Sequence, residues 1–200
     1  MGACTITEAE GKSVGVAICG RTHIGMKSYI CDEAWPVLLN QRFILKHVAA
    51  CCRGGIHMGS CYLTSCSAGV KDKRNLDTLH HMAGVLNSLK GPWAVGGDWR
   101  CTPEELAQTG WLKIVKGTVV APQVSACNSR AIDFFVVSEG LSQAAPAAYT
   151  IGDGWFYPHS AVRLILRGRA RASVVRKLKA PRGFAAVLPQ GPHNQKMAPG

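Results

Sequence analysis

Three polar side chains stand in this sequence where apolar neighbours make them costly. Asp98 closes the run GPWAVGGD (91 to 98) behind two glycines. Glycine lets a ligand or a second backbone approach closely, and α/β proteins commonly put binding groups at such strand ends. Asp133 interrupts AIDFFVVS (131 to 138), a run otherwise fit for burial on both faces. An unpaired buried carboxylate costs on the order of several kcal/mol, so Asp133 needs a partner. His159, just before AVRLILR (161 to 167), is one candidate. A carboxylate on one imidazole nitrogen would fix the tautomer and leave the other nitrogen free for acid–base work. Arg130 or backbone groups would serve Asp133 equally well. Asp98 in turn has a simpler use, shaping a turn or hydrogen-bonding the next helix.

Arg100 lies two residues from Asp98, hence on the same side if the segment stays extended. Its guanidinium would then pair with Asp98 or with a bound phosphate, giving a metal-free phosphate pocket; the alternative is an exposed arginine beside a turn. His80 and His81 have no second ligand pair at helical spacing, and His23, His47 and His57 show no metal-binding interval. They receive no role.

The elements that must position these groups follow from pattern. SVGVAIC (13 to 19), FILKHVAACC (43 to 52) and CYLTSC (61 to 66) are short and apolar, as buried strands are. In KDKRNLDTLHHMAGVLNSLKG, the residues Leu76, Leu79, Met82, Ala83, Leu86 and Leu89 recur at helical intervals, with Gly91 as a stop. WAV (93 to 95) reads as a strand broken by Gly96 and Gly97. Thr102, Pro103 and Glu105 supply an N-cap, a first-turn proline and a capping-box acid for a helix from Pro103 to Gln108. Further strands are expected at 112 to 120, 131 to 138 and 161 to 167. The order is β-β-β-α-β-α-β-β-β, a mixed α/β chain.

The formal charge of +11 is concentrated at one end. Gly154 to Gly200 holds nine basic residues and no acid, whereas the preceding part is close to neutral. The segment RGRARASVVRKLKAPRG carries Arg169, Arg171, Arg176, Lys177 and Lys179 without interleaved aromatics. Such a tail attracts nucleic-acid phosphates non-specifically and loses its grip as salt rises; it would equally serve as a solvated linker to another domain. Nine cysteines, an odd number with no CxxC pair and no signal peptide, read as free thiols of a reducing compartment, with Cys19, Cys51, Cys52 and Cys61 acting as small hydrophobes. No run approaches the roughly 20 apolar residues of a membrane helix, so the expectation is a soluble protein of cytoplasm or nucleus with no membrane partner.

Together, the strand ending GGD, then TPEEL, SRAIDFFVVS and PHSAVRLIL resemble the second half of the endonuclease/exonuclease/phosphatase superfamily, the DNase I-like fold. Its signatures run GDFN, an Asp in a strand like IDYFLVS, then SDH before a strand. SVGVAIC is similar to its middle strand, and Tyr62 sits where its members often carry a phosphate-facing tyrosine. The resemblance implies a two-sheet β-sandwich flanked by helices and a magnesium-dependent hydrolase of phosphodiesters or other phosphoesters, with nucleic acid as the expected partner. By the same resemblance Asp98 would activate water and hold the metal weakly, Asp133 would orient His159, and His159 would stabilise the phosphate in flight.

Three departures qualify that picture. Arg100 stands where the family has the asparagine of GDFN, and Pro158 replaces the aspartate of SDH. The family's opening strands, with their metal-binding glutamate, would precede Ser13, and neither Glu8 nor Glu10 follows an apolar strand. The chain therefore reads as an extension (1 to 12), a truncated domain (13 to 167) and a Pro/Gly-rich basic tail (168 to 200), derived from a mobile-element endonuclease. A missing N-terminal half or C-terminal domain would be its partner. Its expected function is degenerate phosphodiester hydrolysis or, alternatively, non-catalytic binding of nucleic acid or phosphate.

Overall fold

The computed structural model of the chain describes residues 4–6, 16–21, 24–28, 42–49, 54–128, 130–144, 146–152 and 158–167. Glu8, Glu10, His23, Cys51, Cys52, the start of the 13–19 run and the whole basic tail lie outside the described residues.

The described residues include ten strands and four α-helices: β1 (Cys4–Ile6), β2 (Ala17–Cys19), β3 (Met26–Ser28), β4 (Phe43–Val48), β5 (Ile56–Tyr62), α1 (Lys73–Ser88), β6 (Trp93–Asp98), α2 (Pro103–Gln108), α3 (Trp111–Val115), β7 (Gly117–Val120), β8 (Asp133–Ser138), α4 (Glu139–Ser142), β9 (Ala147–Ile151) and β10 (Ala161–Ile165). Six strands make one sheet in the order β3-β4-β5-β6-β8-β7, while β1-β2 and β9-β10 are separate antiparallel pairs. Among the described strands only β5 and β6 pair in parallel, joined by the α1 crossover.

Alternation along the strands divides the large sheet into two faces. Phe43, Leu45, Cys61, Trp93, Val95, Phe134 and Val136 form one core with Leu79, Met82 and Leu86 of α1, Leu106 of α2, and Trp111 and Val115 of α3. Ile56, Ala94 and Val137 point the other way, where Ala148, Val162 and Leu164 of the β9-β10 pair cover them. The molecule is thus layered as helices, sheet and hairpins.

Helix α1 begins at Asp72, whose carboxylate accepts from the Arg74 N–H. Its inner stripe contains Leu79, Met82, Ala83 and Leu86 as the periodicity requires, but Leu76 is largely exposed. Asn75 takes the place beside that stripe, fully buried, and ties the loop after β5 to the helix. Its Oδ1 accepts from the Thr64 N–H at 2.8 Å. Its Nδ2 donates to the carbonyls of Thr64 (3.0 Å) and Gly69 (2.8 Å).

Several expectations are corrected. Residues 112 to 115 belong to helix α3, because Trp111 and Val115 bury on one side at i,i+4 and left-handed residues, Gly110 and Lys116, bound the turn. Gly96 and Gly97 continue β6 instead of breaking it: a Cβ on Gly97 would run into the Cys61 carbonyl of β5, so the glycine permits a close backbone approach inside the sheet. β5 runs from Ile56 to Tyr62, so only Cys61 and Tyr62 of the CYLTSC run (61 to 66) lie in the strand. Cys19 is exposed on β2 and is not a core thiol, whereas Cys61 is buried. β1, β3, β9 and α4 are short and carry no distinctive pattern. No helix among the described residues is long and apolar enough to cross a membrane.

Candidate phosphoester site

The sheet register lines up three polar residues on one face. Tyr62 pairs with Asp98 across β5 and β6, and Asp98 pairs with Asp133 across β6 and β8. They stand at the end of a cleft of about 630 Å³ whose floor is residues 58–60, 96–98 and 133–135, and whose walls are β2 on one side and residues 160–162 on the other.

The strand end is anchored from the opposite face. Trp99 is completely buried, stacks on Phe134 at a ring separation of 5.4 Å and donates its indole N–H to the Phe134 carbonyl at 3.0 Å. The capping box of α2 follows at once, with Glu105 accepting from the Thr102 N–H and Thr102 accepting from the Glu105 N–H. Asp98 and Arg100 therefore project from a turn fixed by a tryptophan before it and a capped helix after it.

His159 comes from the other side. It bridges Cys127 as an isolated antiparallel pair, and the Ser160 N–H donates to the Ala126 carbonyl at 2.6 Å. Its Nδ1 lies 2.8 Å from Asp133 Oδ2. With Asp133 ionised, that contact is an Nδ1–H donating to the carboxylate, which leaves Nε2 facing Cys127 Sγ at 3.6 Å and Asp98 Oδ2 at 3.9 Å. Of the partners open to Asp133, the histidine is the one it takes, while Arg130 instead lies 3.8 Å from Glu105.

Arg100 is bound into the same cluster. Its backbone turns left-handed, with φ of 52°, so the segment is not extended; the side chain nevertheless folds back. Its N–H donates to Asp98 Oδ1 at 3.0 Å, an Asx-type turn, and its Nε sits 3.3 Å from Asp98 Oδ2. Nη2 donates to the Tyr62 hydroxyl at 3.1 Å. A second guanidinium, that of Arg42, lies 5.1 Å from the centre of the Tyr62 ring, with Arg100 at 5.4 Å. The Arg42 Nη1 is buried and has no hydrogen-bond partner among the described residues. Burial pulls the Arg42 guanidinium below its ordinary range, with Arg74 and Arg100 acting in the same direction.

Burial also raises the Asp98 carboxyl above its usual value. The Arg100 N–H and guanidinium oppose the rise, and Asp133 adds to it. Arg100 itself is shifted upward: burial disfavours its charge, but Tyr62 and Asp98 outweigh that cost.

Magnesium does not suit this donor set. It demands an octahedron of hard oxygens, whereas Asp98 Oδ1 accepts from the Arg100 backbone N–H and Oδ2 has the Arg100 guanidinium 3.3 Å away. The other nearby atoms include an imidazole nitrogen and a thiol sulfur. Sequence reasoning missed Cys127 and Arg42. Cys127 lies in an irregular loop without a motif, and Arg42 precedes a strand whose place beside Tyr62 is visible only from the register.

No protein-family model matches the chain, and no curated protein is similar to it in sequence. Solved structures are. The endonuclease domain of TRAS1, a telomere-specific non-LTR retrotransposon, superposes with a TM-score of 0.64 over 84% of this chain and 81% of its own, at 12% identity. The 3'-5' exonuclease NExo from Neisseria meningitidis gives 0.59 over 82% and 79%, at 14% identity. An AP endonuclease from Archaeoglobus fulgidus gives 0.54 over 82% and 79%, at 11% identity. All three are nucleases of one architecture, and the chain has that architecture, the DNase I-like fold.

Proposed function

We propose that the cleft of this DNase I-like fold is a phosphodiester-binding site of nuclease descent in which Arg100 stands where a metal would be expected, so that binding outlasts magnesium-dependent hydrolysis. The observation that carries this reading is the Arg100 guanidinium held between Asp98 Oδ2 and the Tyr62 hydroxyl, with Arg42 over the same ring. A phosphate entering there meets two guanidiniums that form charge-assisted hydrogen bonds to its oxygens. His159, oriented by Asp133, offers a further polar contact through Nε2, and the basic residues 169–179 would add non-specific attraction to nucleic acid.

A second reading is favoured by Asp98, whose upward shift makes its carboxylate a better proton acceptor, and by the intact Asp133–His159 pair. On that reading Asp98 takes a proton from water, and His159 stabilises the phosphate under attack. Neither role needs a group beyond the residues named.

One experiment separates the two. Single-stranded oligonucleotide binding and plasmid nicking are measured on the same protein, with EDTA and with magnesium. The first reading expects binding in EDTA that falls about tenfold in Arg100→Ala, the loss expected for one charge-assisted hydrogen bond, and no nicking. Nicking abolished by Asp98→Asn, in EDTA as well as in magnesium, would establish the second. Equal binding by the Arg100→Ala protein would end the first.

A further inference from the structure

The site holds a donor set of a different chemical character from that of a magnesium nuclease. Cys127 Sγ and His159 Nε2 are 3.6 Å apart. Two ligands of a tetrahedral zinc ion, at about 2.3 Å for sulfur and about 2.0 Å for nitrogen, are separated by about that distance. Asp133 lies beside them, a carboxylate oxygen, the Cys127 sulfur and a ring nitrogen of His159 falling within 4.8 Å of one another. The same carboxylate bonds Nδ1 of the ring, the arrangement that fixes metal-bound histidines with the other nitrogen toward the ion.

From this we infer that Cys127 Sγ and His159 Nε2, with Asp133 holding the ring from behind, form a binding site for a soft divalent transition metal, zinc by preference, at the end of the cleft. Thiolate and imidazole ligands select such ions over magnesium. Cys127 is buried and His159 about one-third exposed, so an ion entering from the cleft meets the ring nitrogen and then the sulfur. On binding, the Cys127 S–H bond breaks, its proton passes to solvent and a sulfur–metal bond forms. The two remaining positions of a tetrahedral ion stay open to water or a phosphate oxygen. The ion occupies the His159 nitrogen that the proposed phosphate site would use, so zinc regulates or replaces that contact.

The test uses cobalt(II) as a spectroscopic stand-in for zinc, on the full chain reduced with a non-thiol reductant. One equivalent should produce a near-ultraviolet thiolate-to-cobalt band together with visible bands of tetrahedral intensity, both removed by one equivalent of zinc. Cys127→Ser should lose the charge-transfer band, and His159→Gln should weaken cobalt affinity by at least about tenfold. Cys19→Ser, on the exposed hairpin, should change neither. Circular dichroism checks that each variant folds; if Cys127→Ser does not, Cys127→Ala and the affinity of His159→Gln carry the decision. An absent thiolate band, a band that survives Cys127→Ser, or unchanged affinity in His159→Gln overturns the assignment. Cobalt spectra do not depend on phosphodiester binding, so failure here leaves the reading of Arg100 and Tyr62 standing, and failure of that reading leaves this one.

Discussion

His159 Nδ1 meets Asp133 Oδ2 at 2.8 Å, and Asp133 is itself directly opposite Asp98 in the sheet. The carboxylate accepts, so a neutral ring must carry its proton on Nδ1 and expose a bare Nε2 to the cleft. In nitrogen-15 spectra the unsubstituted protein should show that single tautomer. Asp133→Ala removes the acceptor and should yield a mixture in which the Nε2–H form, the usual one in solution, is present. A mixed tautomer before substitution contradicts the argument.

The Asp98 carboxyl supplies a titration test. Burial raises it, and Arg100 restrains the rise. A carboxyl raised by folding takes up a proton in the window between its ordinary value, 3.8, and the folded one. Its contribution to stability is therefore greatest below 3.8, declines as pH rises through the folded value and is constant above it. Arg100→Ala removes the guanidinium while keeping the backbone N–H at position 100, so the carbon-13 titration midpoint of Asp98 should move further up. A midpoint that moves down would show that Arg100 is not the opposing group.

The parts of this arrangement that depend on local pattern were legible in the sequence. Asp98 at a glycine-flanked strand end, the Thr102–Glu105 box and the α1 stripe all follow from spacing, because capping and amphipathicity are written within a few residues. What escaped depends on contacts between distant segments. The α3 turn is too short for a periodic signal, so LKIV passed for a strand. Gly97 looked like a breaker because its reason, the Cys61 carbonyl, lies on another strand. Asn75 gave no hint that it would staple residues 64 and 69, and Cys127 meets His159 only through a bridge that joins two loops.

That staple should be expensive to remove. Asn75→Ala removes a fully buried side chain and strands the half-buried Thr64 N–H and the carbonyls of Thr64 and Gly69. Each unsatisfied group costs about 1–3 kcal/mol, offset in part by water or rearrangement, so the expected loss is about 3 kcal/mol in urea unfolding. A loss below about 1 kcal/mol would mean that the loop is held elsewhere.

Two glycines should respond to alanine in opposite ways. Gly84 is exposed inside α1 and a Cβ there meets nothing, so Gly84→Ala should stabilise by about 0.8–1 kcal/mol. Gly97→Ala forces a Cβ against β5 backbone, which cannot rotate away as a side chain would. Thermal melts should rise for the first and fall steeply for the second, and a neutral Gly97→Ala would refute the close approach of β5 and β6.

Placing asparagine at position 100 should create a dependence on magnesium. Arg100 adopts a φ of 52°, a left-handed conformation that asparagine occupies more readily than a long side chain. Arg100→Asn therefore relieves backbone strain while removing the cation 3.3 Å from Asp98 Oδ2, and net stability should change by less than about 1 kcal/mol. The freed carboxylate then offers a hard oxygen, and magnesium, which commonly uses one or two carboxylates plus substrate phosphate, acquires a place to bind. Oligonucleotide affinity of Arg100→Asn should drop about tenfold in EDTA and recover in part with millimolar magnesium. Magnesium should weaken binding by the unsubstituted protein slightly, by screening alone. Recovery that fails in the variant, or a magnesium requirement already present before substitution, would show that Arg100 does not stand in for the ion.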